Sequence, residues 1–160
     1  VYKRQQTNIS VGSGDRAMTS TVVDTNVLID VLGPATLHRR WSLSALKQCL
    51  EEGELVMNPI IWSELSASPL SEAEIGTAFG WLGFKREAVS YEAAHQAGKA
   101  HWQYRKNGGA RDRTLADFLI GAHATVRSHR LLTRDPARYR VYFPSIEIIS
   151  PETHSFNLRS

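Results

Sequence analysis

Hydrophobic and polar positions fall into short blocks along the chain, and the blocks change period. Thr21, Val22 and Val23 form a β-branched run that stops at Asp24, and Val27, Leu28 and Val31 then follow at helical spacing. β-Branched residues suit a pleated surface covered on both sides, so residues 21–23 predict a buried strand. The spacing after them predicts a helix, with Asp24 or Thr25 able to cap its first turn. Gly33-Pro34 breaks the chain. A helical pattern resumes over residues 38–52 with Trp41, Leu43, Leu46 and Leu50 on its apolar side, and Gly53 ends it. Residues 54–57 are a short strand candidate.

Asn58-Pro59 reads as an N-cap followed by the first helical residue, opening a helix through Ile60, Ile61, Trp62 and Leu65 that carries Glu64. Ser71-Glu72-Ala73-Glu74 has the form of a capping box and starts a helix to about residue 82. Residues 84–89 are ambiguous in pattern, with a short strand one reading. Residues 90–106 form the longest helical stretch, stopped by Gly108-Gly109. A helix over 114–129 presents Leu115, Phe118, Leu119, Ala122 and Val126 on one face, a strand follows over 130–133, and Asp135-Pro136 opens a short helical turn. Residues 146–149 read as the last strand, closed by Pro151. Short apolar strands alternating with helices imply a central parallel sheet covered on both faces, a three-layer α/β/α sandwich. Residues 1–17 are polar and without period, and are expected to be a disordered extension outside the fold. The domain is expected over 18–151, with 152–160 as a tail.

Composition narrows the function classes. No apolar run approaches the roughly 20 residues that cross a bilayer, and the start lacks a signal peptide's pattern, so a cytoplasmic protein without a membrane segment is expected. Cys49 is the single cysteine, which excludes an intrachain disulfide, and its neighbours Leu46 and Leu50 make it a buried core thiol. Net charge is +3, but its placement matters more. Between Arg105 and Arg140 there are nine Lys or Arg against three Asp, a local +6, so much of the rest is acidic. A basic segment around acids suits a phosphate-backbone binder with a metal site, while a solvated basic face accounts for the charge equally well.

Four carboxylates stand out: Asp24, Glu64, Asp117 and Asp135. Each has a structural use. Asp24 can cap a helix, Asp117 can close a capping box begun by Thr114, Asp135-Pro136 is a good helix start, and Glu64 can face water. Taken together these uses explain less. Asp24 and Asp135 both end predicted strands, Asp117 opens the helix leading to the second of them, and Glu64 lies one turn into a helix after a strand. All four therefore belong to one edge of a parallel sheet. A like-charged pair 4 Å apart costs about 4 kcal/mol at an effective dielectric near 20, so such a cluster persists with a divalent cation or with raised pKa values. Oxygen ligands alone select a hard ion, Mg²⁺ or Mn²⁺.

Competing chemistries lack their residues. The six histidines show no HxxxH or His/Cys ligand pattern, and one cysteine excludes a zinc knuckle. Walker A, GxGxxG and GxSxG sequences are absent. The tryptophans at 41, 62, 81 and 102 sit at helical apolar positions and are expected in the core, with base stacking the minor reading. Asp30 is expected at the surface, and Asp112 as a neighbour or substitute ligand.

Four segments in order, Val22-Val23-Asp24-Thr25-Asn26-Val27-Leu28, Trp62-Ser63-Glu64-Leu65, Asp117-Phe118-Leu119-Ile120-Gly121-Ala122-His123-Ala124 and Leu131-Leu132-Thr133-Arg134-Asp135, resemble the PIN-domain ribonucleases, specifically the VapC-type toxins of bacterial toxin–antitoxin pairs. The resemblance spans about residues 19–151. It implies an α/β/α sandwich, a Mg²⁺ or Mn²⁺ site, endoribonuclease activity on RNA restrained by a cognate antitoxin, and homodimers. It further implies that Asp24, Glu64, Asp117 and Asp135 bind the metal, Asp135 being at the family's most variable acid position. Asn26 and Thr133 match positions that orient those acids or a metal water. Lys106, Arg111, Arg113 and Arg134 are the candidates for gripping phosphates. Two other readings keep the same residues: an inactive module of this fold that only binds RNA or protein, and a phosphotransferase of the haloacid-dehalogenase kind. The latter wants a second Asp two residues after Asp24, where this chain has Asn26.

Overall fold

In β1 (Thr19–Val23) the last three residues, Thr21, Val22 and Val23, are all fully buried. Consecutive burial means both faces of the strand are covered, which is the signature of a sandwiched parallel sheet. The computed structural model describes residues 19–110 and 115–156. After β1 come α1 (Thr25–Leu32), α2 (Leu37–Glu52) and β2 (Gly53–Met57), then α3 (Pro59–Ser66), α4 (Glu72–Phe79) and a single 3₁₀ turn (Gly80–Leu82). The chain continues through β3 (Lys85–Arg86), α5 (Tyr91–Lys106), α6 (Leu115–Val126), β4 (Arg130–Leu132), α7 (Ala137–Tyr142) and β5 (Ile148–Ile149). All four strand pairings are parallel and the order is β3-β2-β1-β4-β5, so the expected α/β/α sandwich is what forms.

This order fixes where chemistry can sit. The chain winds outward from β1 through β2 to β3, then crosses back to lay β4 on the other side of β1. The switch point therefore lies between β1 and β4, whose carboxyl ends open a crevice in sheets of this kind. Val22 pairs with Leu131 and Val23 with Leu132, and the Asp24 amide donates to the Leu132 carbonyl at 2.8 Å. Both strands thus end level, at Asp24 and Thr133.

Local signals behave as their chemistry dictates. Asn58 caps α3 through its side-chain oxygen, 2.9 Å from the Ile61 amide, and Ser71 with Glu74 closes the capping box of α4. Gly53 admits only glycine for a steric reason: a Cβ there would fall 1.7 Å from the Thr19 carbonyl oxygen, where β2 starts alongside β1. Gly121 serves the other helical layer. A Cβ on it would meet the Phe143 ring at 2.5 Å and Tyr139 at 3.1 Å, so the glycine lets α7 close onto α6.

Several expectations change. Only Trp41 of the tryptophans is core, 5% exposed, whereas Trp81 and Trp102 are 45% and 58% exposed and Trp62 is partly covered. α5 turns Ala93 and Ala97 inward, with Ala100 and Tyr104 packed beside them, and that stripe leaves Trp102 on the outer face. The last strand is two residues rather than four. Residues 150–156 stay on the domain, because Trp41 Nε1 donates to the His154 carbonyl at 2.8 Å and the Phe156 ring lies 6.0 Å away. Cys49 is buried as expected. No helix among the described residues is long and apolar enough to cross a membrane.

Candidate functional site

Asp24 ends β1 and caps α1, and the same carboxylate faces the crevice. Its Oδ1 accepts from the Thr25 amide at 2.8 Å. Its Oδ2 accepts from Thr133 Oγ1 at 2.8 Å, from the Tyr139 hydroxyl at 3.1 Å and from Asn26 Nδ2 at 3.4 Å. Capping and crevice acid were alternatives in the sequence; the two oxygens do one each. Burial pushes this carboxyl up to about 6, with the Asp117 charge adding to the rise and the Thr133, Tyr139 and Thr25 bonds opposing it.

The other three acids arrive from separate segments. Glu64 stands one turn into α3, partly buried, and accepts from Thr25 Oγ1 at 2.6 Å. Burial raises its pKa and Asp117 raises it further, against the Thr25 bond. Asp117 sits in the first turn of α6, and Arg138 Nη1 donates to it at 2.7 Å. Asp135 is exposed just past β4, its amide 3.0 Å from Thr133 Oγ1. All four line one cavity of about 320 Å³, which Arg134, Arg138 and Tyr139 help to close. Thr133 is its hinge pin: its hydroxyl donates to Asp24 and accepts from Asn26 Nδ2 at 3.3 Å and from the Asp135 amide. Asn26 Oδ1 in turn accepts from the Arg134 amide at 3.2 Å. Asn26 and Thr133 therefore touch the acids they were expected to orient.

The donor set suits a hard divalent cation: all side-chain oxygens, one acid buried, and two of them carrying raised pKa values that an added cation would relieve.

The basic candidates fare unequally. The Arg134 guanidinium forks onto Asp30, with Nε donating to Oδ2 and Nη2 to Oδ1 at 3.0 Å. Asp30, expected at the surface, has a side chain only 9% exposed and also accepts from Ser42 Oγ at 2.7 Å. The Arg134 fork and the Ser42 bond hold it inward, against that expectation. Lys106 lies at the end of α5 with Nζ 4.7 Å from the Trp102 ring centroid. Arg111, Arg113, Asp112 and Thr114 lie outside the described residues.

Sequence reasoning missed Arg138 and Tyr139, adjacent residues on α7 that both reach the acids. The signal available was their closeness to Asp135-Pro136. It also missed a second cluster. Among the described residues, the one set of three His, Cys, Asp or Glu ligand atoms lying within 4.8 Å of one another belongs to Glu87, His123 and His129, all buried. Glu87 Oε1 takes His123 Nε2 at 3.0 Å and His129 Nε2 at 2.7 Å, while Oε2 takes Arg127 Nη2 at 3.1 Å. A carboxylate only accepts, so both ring nitrogens carry protons here and offer no lone pair to a metal. Asn58 agrees: its oxygen is held by the Ile61 amide, so its NH₂ donates to His123 Nδ1 at 2.8 Å and leaves the ring proton on Nε2. Burial pushes His123 below the usual histidine range, with Glu87 opposing. Although burial alone would raise Glu87, the His123 and His129 bonds and the Arg127 charge bring its carboxyl below the usual range. As hydrogen-bonded, this cluster is a structural hub joining β3 to α6 and β4.

The sequence profile of the PIN domain matches residues 21–144. No curated protein shows significant similarity to the chain. Among solved structures, VapBC2 from Rickettsia felis, bound to a DNA fragment from its promoter, is similar with TM-score 0.63 at 16% identity, covering 82% of this chain and 98% of that one. VapBC-1 from nontypeable Haemophilus influenzae gives TM-score 0.63 at 18% identity, with the same coverage of 82% and 98%. FitAcB from Neisseria gonorrhoeae gives 0.60 at 19% identity, covering 84% of this chain and 99% of that one. At these identities the likeness is one of fold.

Proposed function

The chain belongs to the PIN-domain family, and from that premise we propose that it is a divalent-metal-dependent endoribonuclease, the toxin of a toxin–antitoxin pair. The observation that carries the reading is the meeting of Asp24, Glu64, Asp117 and Asp135, from four separate segments, around one cavity at the β1/β4 switch point. These acids would hold Mg²⁺ or Mn²⁺, which supplies an acidified water and neutralises charge on the phosphoryl oxygens. Thr133 and Asn26 fix the carboxylate of the buried Asp24, which lines the cavity. Tyr139 closes that wall, and Thr25 aims Glu64 across it. Lys106, with Arg111 and Arg113, would contact the RNA backbone.

A structure of similar fold, from Klebsiella pneumoniae, is by name a toxin–antitoxin complex, which supports a protein antitoxin as partner here. The proposed assembly is a homodimer, and a nuclease so restrained acts on cellular RNA in the cytoplasm. The test is cleavage of total RNA with Mg²⁺ or Mn²⁺, against EDTA and against Asp24→Asn. We expect chelation to abolish cleavage and Asp24→Asn to lower it about a thousandfold, the size of a lost transition-state electrostatic group. Cleavage persisting in both controls would overturn the reading. Tight RNA binding with no cleavage, indifferent to metal, would favour a binding module instead.

A further inference from the structure

Two arginines border the acid cavity, and they are held differently. Arg134 is forked onto Asp30, so its charge is matched outside the four acids. Arg138 is bonded to one of the acids themselves: Nη1 donates to Asp117 Oδ2 at 2.7 Å, with the two side chains 17% and 25% exposed. Its guanidinium carbon lies 5.5 Å from the Tyr104 ring centroid. Tyr104 is in turn packed against Phe118 at 5.3 Å and Tyr142 at 5.9 Å. The head of Arg138 therefore lies over a fixed aromatic ring, and among the described residues Asp117 engages one of the five donors a guanidinium owns.

We propose that Arg138 is a positioning residue that serves as the site's internal counter-cation. It holds Asp117 while the acids lack a divalent ion, and it passes to an RNA phosphate when ion and RNA are bound. The proposal rests on the metal-dependent nuclease reading above. Its physical basis is competition for one carboxylate. Asp117 cannot bind a cation fully while a guanidinium lies against the same group, because the two positive charges repel across a partly desolvated site. Displaced from Asp117, the head pivots on its Tyr104 seat, and the anion presented to this cavity during the reaction is the phosphodiester. A planar fork suits that group. Arg138 thus opposes the metal in the free protein and supports it in the complex, and by linkage RNA must tighten metal binding.

The opposed signs make the test decisive, since a merely structural ion pair would weaken metal binding when broken. Arg138→Met keeps an unbranched apolar side chain beside Tyr104 and removes the charge. Arg138→Gln repeats the removal with a polar head should Met disturb folding, which thermal unfolding will show. Calorimetric titration of the RNA-free protein with MnCl₂ should give about tenfold tighter binding in either variant than in wild type, the worth of a charge-assisted contact. Binding of a labelled mixed-sequence single-stranded RNA in CaCl₂ should weaken about tenfold, and its salt slope should fall by about one. Equal or weaker Mn²⁺ binding in the variants, or unchanged RNA binding, would overturn the proposal. If wild type itself binds neither Mn²⁺ nor RNA, the nuclease reading has failed instead.

Discussion

Two groups of ionisable side chains lie beside one sheet, and their charge is handled in opposite ways. In the hub, one carboxylate, Glu87, is met by His123, His129 and Arg127, with Lys85 Nζ at 3.8 Å, so its ionised form is favoured. In the crevice, Asp24 is buried near Glu64 and Asp117, and its ionised form is disfavoured up to about 6. A closed hydrogen-bond account marks the group that holds the fold together. A surplus of negative charge marks the group we propose as the cation site. Tightness of clustering alone would choose the hub.

Cutting the hub should have the largest effect on stability. Glu87→Gln leaves the Arg127 charge and two ring N–H groups facing a neutral amide, and should cost about 3 kcal/mol by urea unfolding, as breaking a buried pair does. RNA cleavage per folded molecule should stay near wild type. A loss of cleavage without a loss of stability would move the hub into the catalytic machinery.

Gly121→Ala tests the layer that carries Tyr139 to Asp24. The Phe143 ring is rigid and stands where the methyl would go, so α7 must retreat, at about 2 kcal/mol, as overpacking does. Cleavage should fall as well, because Tyr139 moves away from Asp24.

The gentlest lever is pH, where the two regions should respond with opposite sign. Asp24 is held above its unfolded value of 3.8, so the folded metal-free protein keeps a proton the unfolded chain has already released. Its contribution to stability therefore falls as pH rises from about 3.8 to about 6. Glu87 is held below its unfolded value of 4.5 and His123 below 6.5. Stability from these two is present above those values and is lost as pH falls through them. Thermal unfolding of the metal-free protein against pH should show Asp24→Asn flattening the first trend only. MgCl₂ should raise the melting temperature by a few degrees above the titration of Asp24 and by less below it. Equal shifts at both ends would break the contrast between the regions.

How much of this the sequence disclosed follows from what kind of signal each residue carries. Asp24, Glu64, Asp117 and Asp135 each stand at the end of a strand or in the opening turns of a helix. Placing the elements therefore placed the acids, and the sheet order brings them to one edge. Arg138 and Tyr139 ride on the six-residue α7, which has no side-chain cap and is too short to show a period. Glu87 falls in a segment whose pattern suits strand or loop, and its two histidine partners are six positions apart, matching no ligand spacing. Trp102 shows the limit of periodicity: a helix with two apolar stripes buries the one its neighbour fits, and α6 fits alanines. Asp30 was misplaced because an ion pair across 104 positions leaves no local trace.

The sheet's outer rims, β3 and β5, are two residues each. A rim that short offers few free amides and carbonyls for another molecule's strand to extend, which is how natural sheets resist stacking edge to edge. The like charge at the crevice is held near the middle of the sheet, where β1 and β4 meet, well away from those rims. Blunt rims leave little for a second copy to extend, whatever the charge at the centre does.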